Sequence, residues 1–291
     1  MLEITLPSII ALIGLLVGSY TDFKTREVPD WVNYGLIISG FGINTIYSIV
    51  FSSWAYILYS MAGFGLCFVL SLLMFYTGQW GGGDSKMLMA IGALLGFNFK
   101  LSHITINFLI NIIFIGGFYG LIWSIYLSIK NRSRLINIWK KLSANKTAVR
   151  IKNIIFTLVF LLVLVGIILR DNLSFFYMGT GSIILILTFY IWIFIKSIEN
   201  VAMIKSVTPY KLTEGDWIAK DISLDGKYIC GPKDLGISKT QIKALKRFYN
   251  LGRIKKVVIK EGIPFVPSLL IAYVITLFEG SILTIFLSLN L

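Results

Sequence analysis

Long apolar runs recur along this chain of 291 residues, and they decide the solvent in which it can fold. A membrane-spanning helix needs about 20 mainly apolar residues, and most of these runs reach that length. Apolar side chains make up 56% of the sequence and charged ones 14%, whereas soluble domains carry roughly 25% charged residues. The sequence therefore predicts an all-α polytopic membrane protein with about eight transmembrane helices. Their predicted ranges are 4–22, 31–50, 56–77, 85–97, 102–129, 153–170, 174–197 and 263–289.

The fourth apolar run, 85–97, is too short to cross a membrane. About 13 residues at roughly 1.5 Å each reach only about 20 Å, against a hydrocarbon core of about 30 Å. Such a segment is tolerated at membrane depth only where other helices shield it from lipid. We therefore expect this helix to lie inside the helix bundle.

Lysine and arginine indicate the orientation of the chain. With the N-terminus outside, only Lys100 and Arg170 of the 27 basic residues lie on the outer side, as the bias of basic residues toward the cytoplasm requires. The first apolar run has no preceding basic residue and no small-residue cleavage site, so we expect a retained helix. The net charge of +13 then follows from topology and from contact with anionic headgroups, and nucleic-acid binding is not expected.

Two polar segments interrupt the predicted helices. Residues 130–152 are rich in basic side chains and carry Leu135, Ile138 and Trp139 at helical spacing, which is typical of an amphipathic helix at the membrane interface. Residues 199–262 are predicted to form a small cytoplasmic α+β module of about 60 residues, which is marginal in size for independent folding.

The module carries its own structural signals. The runs "WIAKDISL" and "KYIC" flank Asp225-Gly226, which favours a β-hairpin with a two-residue turn. Ser238 and Gln241 match the capping box that begins a helix, and "KKVVIK" follows as another strand. The predicted organisation is 1–130 for helices 1 to 5, 131–152 for a basic interfacial loop, 153–198 for a transmembrane hairpin, 199–262 for the module and 263–291 for the last helix.

Two carboxylates fall at the same predicted depth. Asp22 ends the first helix, and Asp84 follows Gly81-Gly82-Gly83 at the start of the fourth. Carboxyl groups that approach closely share a proton, so one can act as base on a water while the other donates to a carbonyl. Glycines at 81, 82 and 83 permit close backbone approach and positive φ at a turn.

Simpler interpretations exist for each aspartate alone. Asp84 is a competent helix N-cap, and glycine turns commonly precede helices. Asp22 is also consistent with an interfacial residue beside Lys24 and Arg26.

Other candidate residues are weaker. Glu279 is expected near the outer boundary of the last helix, and a lone histidine such as His103 seldom forms a metal site. Cys67 and Cys230 provide neither a disulfide framework nor a Cys-x-x-Cys pair, so no metal and no cofactor are predicted. The module contains three aspartates that we expect to be solvated: Asp216, Asp221 and Asp234.

The segments "YTDFKTREVPDW" and "GGGDSKMLMAIGALLG" resemble the two active-site motifs of the prepilin peptidase family of GxGD membrane aspartyl proteases. The similarity is greatest to its archaeal branch of preflagellin and type IV prepilin peptidases, and "EGIPFVPSLLIA" is similar to the entry of the family's last helix. The resemblance implies that Asp22 and Asp84 are the catalytic aspartates and that Gly81 and Gly83 are the motif glycines.

The resemblance also implies an activity. It is that of an aspartic endopeptidase that cleaves class III, type IV pilin-like signal peptides from archaellin or pilin precursors, after a glycine at the cytoplasmic membrane face. The leaders of such substrates are basic, so Glu27 and Asp30 are possible leader-binding residues. The four-cysteine zinc module of bacterial members has no counterpart here, so N-methylation of the product is not expected. The helix hairpin at 153–198 is additional to the family's six-helix core.

Two other functional classes remain open from sequence. Broken helices with buried carboxylates also form ion sites, so a proton-coupled transporter could use Asp22 and Asp84. A transporter usually shows an inverted repeat, and no second glycine-broken helix with a carboxylate is found in this sequence. A non-catalytic membrane scaffold is the third class. Leader cleavage and solute transport are the assays that separate these classes.

Overall fold

The computed structural model of the chain describes residues 5–100, 102–169, 171–224 and 226–283. The chain divides into two compact units. One combines the residues up to 122 with those from 206 onward, and the other spans 123–205. The predicted helix ends at 4, 170 and 289 lie outside the described residues, as does Asp225 of the predicted hairpin turn.

Helices account for most of the described chain. They are α1 (Leu6–Thr25), α2 (Asp30–Val50), α3 (Ala55–Tyr76), α4 (Gly82–Leu95), α5 (Ile104–Lys130), α6 (Arg132–Ser143), α7 (Lys146–Leu169), α8 (Asn172–Ala202), α9 (Lys239–Asn250) and α10 (Val266–Glu279). Among the described residues, α1, α3, α5, α7 and α8 are long and apolar enough to cross a membrane. The chain is thus a mainly helical, multi-pass membrane protein, and the count of eight spanning helices stays a prediction.

The short helix α4 forms the centre of the first unit. It packs against α1, α2 and α3. Five of its side chains are fully buried: Met87, Leu88, Ala90, Ile91 and Ala93. The prediction that the fourth helix lies inside the bundle is confirmed. Its neighbours shield a segment that is too short to span by itself.

Small residues let the backbones of α2, α3 and α4 approach closely. A Cβ on Gly63 of α3 would collide with the backbone of Gly92 in α4, and a Cβ on Gly40 of α2 would lie 2.8 Å from the carbonyl carbon of Ala93. The hydroxyl of Ser60 donates to the carbonyl oxygen of Ala93 at 2.6 Å. Small residues allow this close packing where lipid supplies no hydrophobic drive between helices. The C-terminal half of α4 is therefore held firmly between α2 and α3.

Helix α10 is held at several points along its length. The Tyr273 hydroxyl donates to the carbonyl oxygen of Ser8 in α1 at 3.0 Å. The amide of Asn111 in α5 donates to Thr276 Oγ1 at 2.8 Å and to the carbonyl oxygen of Gly280 at 2.7 Å. These buried bonds are costly to break, so they fix α10 against α1 and α5.

The described strands lie within the module, residues 199–262. They are β1 (Ile204–Val207), β2 (Trp217–Ile218), β3 (Ile222–Leu224), β4 (Lys227–Cys230) and β5 (Val257–Lys260). Antiparallel pairs form between β2 and β5 and between β3 and β4. The pairing of Leu224 with Lys227 leaves two residues for the turn, which confirms the predicted hairpin. The run "WIAKDISL" is not one strand, because its first two residues pair with β5 and its last three with β4.

Helix α9 begins at the predicted capping box. Ser238 N–H donates to Gln241 Oε1 at 2.8 Å, and Gln241 N–H donates to Ser238 Oγ at 3.3 Å. The helix turns Ile242 and Leu245 into the module core, where both are buried. That core also contains Leu212, Ile218, Cys230, Ile237, Val257 and Ile259.

The second unit is a helical hairpin with an amphipathic companion. α7 packs along α8, and α6 packs against α8. Trp139 of α6 lies against a small buried cluster of Ala148, Phe189 and Ile193. α7 begins at Lys146, before the predicted 153, because a helical backbone continues past the point where hydropathy ends when no glycine or proline interrupts it.

Candidate active site

Asp22 lies in the last turn of α1 and is buried. Its Oδ2 accepts the backbone N–H of Val266, the first residue of α10, at 2.9 Å. The first N–H groups of a helix have no partner within that helix, and a negative charge there is favoured by the helix dipole. The carboxylate of α1 therefore caps α10 from another part of the chain, which fixes the orientation of its side chain.

The connection from α1 to α2 begins at a backbone position that few side chains adopt. Arg26 has φ of 63°, in the left-handed region, and its N–H donates to the carbonyl oxygen of Asp22 at 2.9 Å. Val28 follows and is buried. A Cβ on Gly83 would lie 3.4 Å from the backbone nitrogen of Val28. The loop after Asp22 therefore lies directly against Gly83, the residue that precedes Asp84.

Asp84 is the third residue of α4, within its first turn. Its Oδ2 accepts the N–H of Gly81 at 3.0 Å. Gly81 is extended with φ of −73°, the helix begins at Gly82, and none of the three glycines takes the positive φ that glycine permits. Because the carboxylate of Asp84 accepts the N–H of Gly81, the helix can begin at Gly82, before Asp84 itself. The capping role considered for Asp84 is thus present, but from the third helical position.

Asp22 and Asp84 lie within electrostatic range of each other, so the carboxyl group of Asp84 experiences the charge of Asp22. Asp22 also interacts with Arg26. Tyr119 of α5 lies within electrostatic range of Asp22 and of Arg26. Tyr119 could not be assigned from the sequence, because one tyrosine among 14, in a long apolar helix, gives no signal. A pair of close carboxyl groups can hold one shared proton, as acid–base catalysis on a water molecule needs.

The two possible leader-binding residues have different surroundings. Asp30, the first residue of α2, forms an ion pair with Lys86 of α4, with Oδ1 and Nζ 2.6 Å apart. Glu27 is exposed. It lies within electrostatic range of Asp216 in the module. No finding tests leader binding by either residue, so both assignments stay predictions.

Asp216 is not the freely solvated carboxylate that the sequence predicts. It is half-buried, and its Oδ2 accepts the N–H of Thr213 at 2.8 Å. Burial raises the pKa of Asp216 above its ordinary value, and the charges of Glu27 and Glu261 raise it further. An acidic side chain of the module therefore faces the loop that follows Asp22.

Asp234 also has a structural role. Its Oδ2 accepts the N–H of Gly231 at 3.0 Å, the hydroxyl of Tyr228 at 3.1 Å and Nε2 of Gln241 at 3.4 Å. The expectation of a solvated group is therefore wrong for Asp234, whose carboxylate ties β4 to α9. Asp221 is exposed, as expected.

The remaining candidates lie away from the aspartate pair. Glu279 is exposed and ends α10, at the opposite end of that helix from the Asp22 contact. His103 precedes α5 and its Nδ1 accepts the N–H of Thr105, while burial lowers the pKa of the imidazole. Cys67 and Cys230 are buried free thiols. Within the described ranges, no three or more His, Cys, Asp or Glu side chains form a group able to hold a metal.

The module contacts the connection between α3 and α4. Gly78 has φ of +70°, and a Cβ on it would lie 3.1 Å from the ring of Trp217 in β2. Three residues further along the chain is Gly81, the residue whose N–H binds Asp84. The module therefore reaches the segment that leads directly into the site.

Comparison with known proteins gives matches in the N-terminal part of the chain. Residues 9–125 match the type IV leader peptidase family. A preflagellin peptidase of Methanocaldococcus jannaschii is 35% identical over 111 residues, which is 38% of this chain and 47% of that protein. Those of Methanococcus voltae and Methanococcus maripaludis are 38% identical over 86 and 87 residues, 30% of this chain and 36% and 37% of those proteins.

The aligned stretches thus span less than half the length of these relatives. The family match nevertheless contains Asp22, Asp84 and all of α1 to α4 except the first residues of α1. Those are the helices that position the two carboxyl groups. Residues 9–125 of the chain, which contain both aspartates, are therefore similar to the type IV leader peptidase family.

Proposed function

We propose that this protein is a membrane-embedded aspartic endopeptidase that removes leader peptides from precursors of the preflagellin or type IV pilin kind. The observation that supports the proposal is that Asp22 and Asp84 lie within electrostatic range of each other, inside the segment that matches a leader peptidase family. The named relatives are preflagellin peptidases, which favours a substrate of that class.

The reaction uses the two carboxyl groups as one acid–base unit. The ionised carboxylate takes a proton from a water molecule, whose oxygen attacks the carbonyl carbon of the scissile peptide bond. The protonated carboxyl donates its proton to the carbonyl oxygen, which gives a tetrahedral diol. When the carbon–nitrogen bond breaks, the first carboxyl gives its proton to the leaving nitrogen, and a diol hydroxyl returns a proton to the second.

Backbone N–H groups orient both carboxyl groups for this role. Val266 N–H binds Oδ2 of Asp22, and Gly81 N–H binds Oδ2 of Asp84. An oxygen that accepts an N–H leaves the other oxygen of the same carboxyl to carry the shared proton. Both anchors come from helix starts, where the backbone is rigid and its N–H groups lack helical partners.

The proposed substrate has a short basic leader, a glycine at the cleavage point and a long apolar helix. Its peptide bond must leave the helical conformation to be attacked, and the start of the short buried α4 offers shielded, irregular backbone nearby. The proposal places this site at the cytoplasmic membrane face, with the N-terminus outside, about eight spanning helices and the module inside. The distribution of lysine and arginine supports that orientation.

The test is incubation of membranes containing this protein with archaellin and pilin precursors, followed by mass measurement of the mature N-terminus. We expect cleavage after the leader glycine, and no cleavage by Asp84→Asn. Glu279→Gln is the matched control, because it also neutralises a carboxylate but at the far end of α10. Proton-coupled solute uptake by proteoliposomes, without cleavage of any precursor, would support the transporter alternative instead.

A further inference from the structure

An ion pair joins the first turn of α4 to the start of α2, and the hydrolytic chemistry does not use it. Nζ of Lys86 lies 2.6 Å from Oδ1 of Asp30, and it also lies 5.4 Å from the ring centroid of Tyr34. The side chains of Lys86 and Asp30 are 34% and 62% exposed. A pair so accessible to water contributes little to folding stability.

The positions of the two partners relate them to the aspartate pair. Lys86 lies two residues after Asp84 on the same helix, and Asp30 ends the loop that follows Asp22. The same loop also contacts α4 through Val28 and Gly83. The ion pair adds a second contact between the same loop and α4, three residues further along the helix, on the neighbouring turn.

We propose that Lys86 and Asp30 are positioning residues of the site. Their ion pair fixes the rotation and depth of the first turn of α4 against the loop after Asp22, and so sets the separation of the Asp22 and Asp84 carboxyl groups. The inference rests on the proposed peptidase function for its consequence on rate. A displacement of about 1 Å at reacting groups can reduce a rate roughly a hundredfold, so a weak surface contact can have a large effect on catalysis.

This role differs from leader binding by Asp30 in what it predicts for kinetics. If Asp30 holds a basic leader, Asp30→Asn raises KM, and the loss of cleavage activity depends on the number of lysines in the leader. If Asp30 positions α4, Asp30→Asn lowers kcat, and the loss is the same for every leader. Lys86→Met should reproduce that loss, although lysine cannot attract a basic leader.

The kinetic experiment measures cleavage by Lys86→Met, by Asp30→Asn, by the double variant and by the exchanged pair Asp30→Lys with Lys86→Asp. We expect each single variant to lose about tenfold or more in kcat with KM changed less than about twofold, and the double variant to be no worse. The exchanged pair keeps the combined length of the two side chains and should recover most of the rate. Lys24→Met is the matched control. Lys24 is as near to Asp22 in sequence as Lys86 is to Asp84, but it forms no ion pair with a described carboxylate.

A second measurement reports on the geometry without any cleavage. Cysteines replace Asp22 and Asp84 in a chain whose Cys67 and Cys230 are serines, and a short bifunctional thiol reagent links them. We expect the linked fraction to fall several-fold on Lys86→Met, and to return in the exchanged pair. An unchanged linked fraction would overturn the positioning role even if precursor cleavage is observed. Absent cleavage by the wild-type protein, with a linked fraction that depends on Lys86, would overturn the proposed function and keep the positioning role.

Discussion

At the scale of single residues, asparagine is the informative replacement for the two aspartates, because it keeps their size and their hydrogen bonding but cannot titrate. Asp22→Asn and Asp84→Asn should insert and fold normally, and each alone should abolish precursor cleavage. Residues that act as one unit lose function non-additively, so the double variant should be little worse than either single one. Glutamate at either position should cost roughly a hundredfold, since it moves the carboxylate by about an ångström.

A purely structural role for Asp84 makes the opposite prediction. Its carboxylate binds Gly81 N–H, and an asparagine oxygen can accept the same bond. Leader cleavage near the wild-type rate by a well-expressed Asp84→Asn protein would end the peptidase assignment.

Glu27 is exposed next to the site and carries the remaining prediction for leader recognition. Glu27→Gln should reduce kcat/KM for basic leaders by up to about fivefold, because an exposed ion pair contributes about 0.2–1 kcal/mol. The measurement is kcat/KM across a series of leaders in which lysines are replaced by alanine. Equal sensitivity of the wild-type and Glu27→Gln proteins to those replacements would remove Glu27 from recognition.

Asp216 should make the stability of the protein depend on pH. Its pKa is raised in the folded protein by burial, so the folded state binds more protons at this group than the unfolded chain does. Its contribution is therefore most favourable below the unfolded pKa of roughly 3.9, and it declines as pH rises through that value toward the folded pKa.

Asp216→Asn should remove that decline. The unfolding temperature of Asp216→Asn should therefore exceed that of wild type by more near pH 7 than near pH 4. The measurement is thermal unfolding in detergent across this range. Asp221→Asn, at an exposed position of the same module, provides the comparison. If the unfolding temperatures of wild type and Asp216→Asn changed with pH in parallel, the proposed effect of burial on the pKa of Asp216 would be contradicted. Precursor cleavage should change little in either variant.

At the scale of elements, the close packing of α3 on α4 decides whether the site forms. A Cβ on Gly63 would meet the backbone of α4, whereas a Cβ on Gly65, two residues along the same helix, meets nothing within 4 Å. Gly63→Ala should therefore destabilise the protein by about 1–3 kcal/mol through overpacking and should reduce cleavage. Gly65→Ala should be neutral or stabilising by up to about 1 kcal/mol, since alanine favours helix.

Unfolding temperature and cleavage rate of these two alanine variants give the check. Equal effects of both replacements would mean that α3 and α4 do not pack as described. Loss of cleavage by Gly63→Ala without loss of stability would place the effect at the aspartates instead of at the helix contact.

The elements that could be predicted from sequence are those whose signal is local. The apolar runs located the membrane helices, and the capping box at Ser238 located α9. The assignment of the aspartate and glycine motifs to the active site stays a prediction. Hydropathy misplaced the start of α7, because it measures the solvent preference of side chains and a helix can extend into water. Strand pairing in "WIAKDISL" depended on partners distant in the chain, which a local pattern cannot contain.

The residues around the aspartates show the same limit. The two carboxyl groups could be paired from motif and depth, but the Val266 N–H that orients Asp22 lies 244 positions away. The ion pair of Asp30 and Lys86 spans 56 positions. Such contacts follow from how helices are arranged, and no spacing along the chain encodes them.

At the scale of the whole molecule, the module is expected to influence which precursors reach the site. Trp217 contacts Gly78 in the segment that leads to α4. Trp217→Ala should therefore change kcat/KM for full precursors by several-fold, while a short soluble leader peptide is cleaved at an unchanged rate. Competition between two precursors, with the soluble peptide as the reference, provides the measurement. A large and equal loss for both kinds of substrate would instead assign Trp217 to the catalytic geometry.

The hydrogen bond between Asp22 and Val266 has a consequence for biosynthesis. Asp22 and Val266 are 244 positions apart, so during translation a chain carries both aspartates for a long period without the N–H that orients one of them. The site reaches its complete arrangement only when α10 has been inserted against α1. Under the proposed function, a nascent copy of the protein is expected to acquire peptidase activity only after α10 has been inserted.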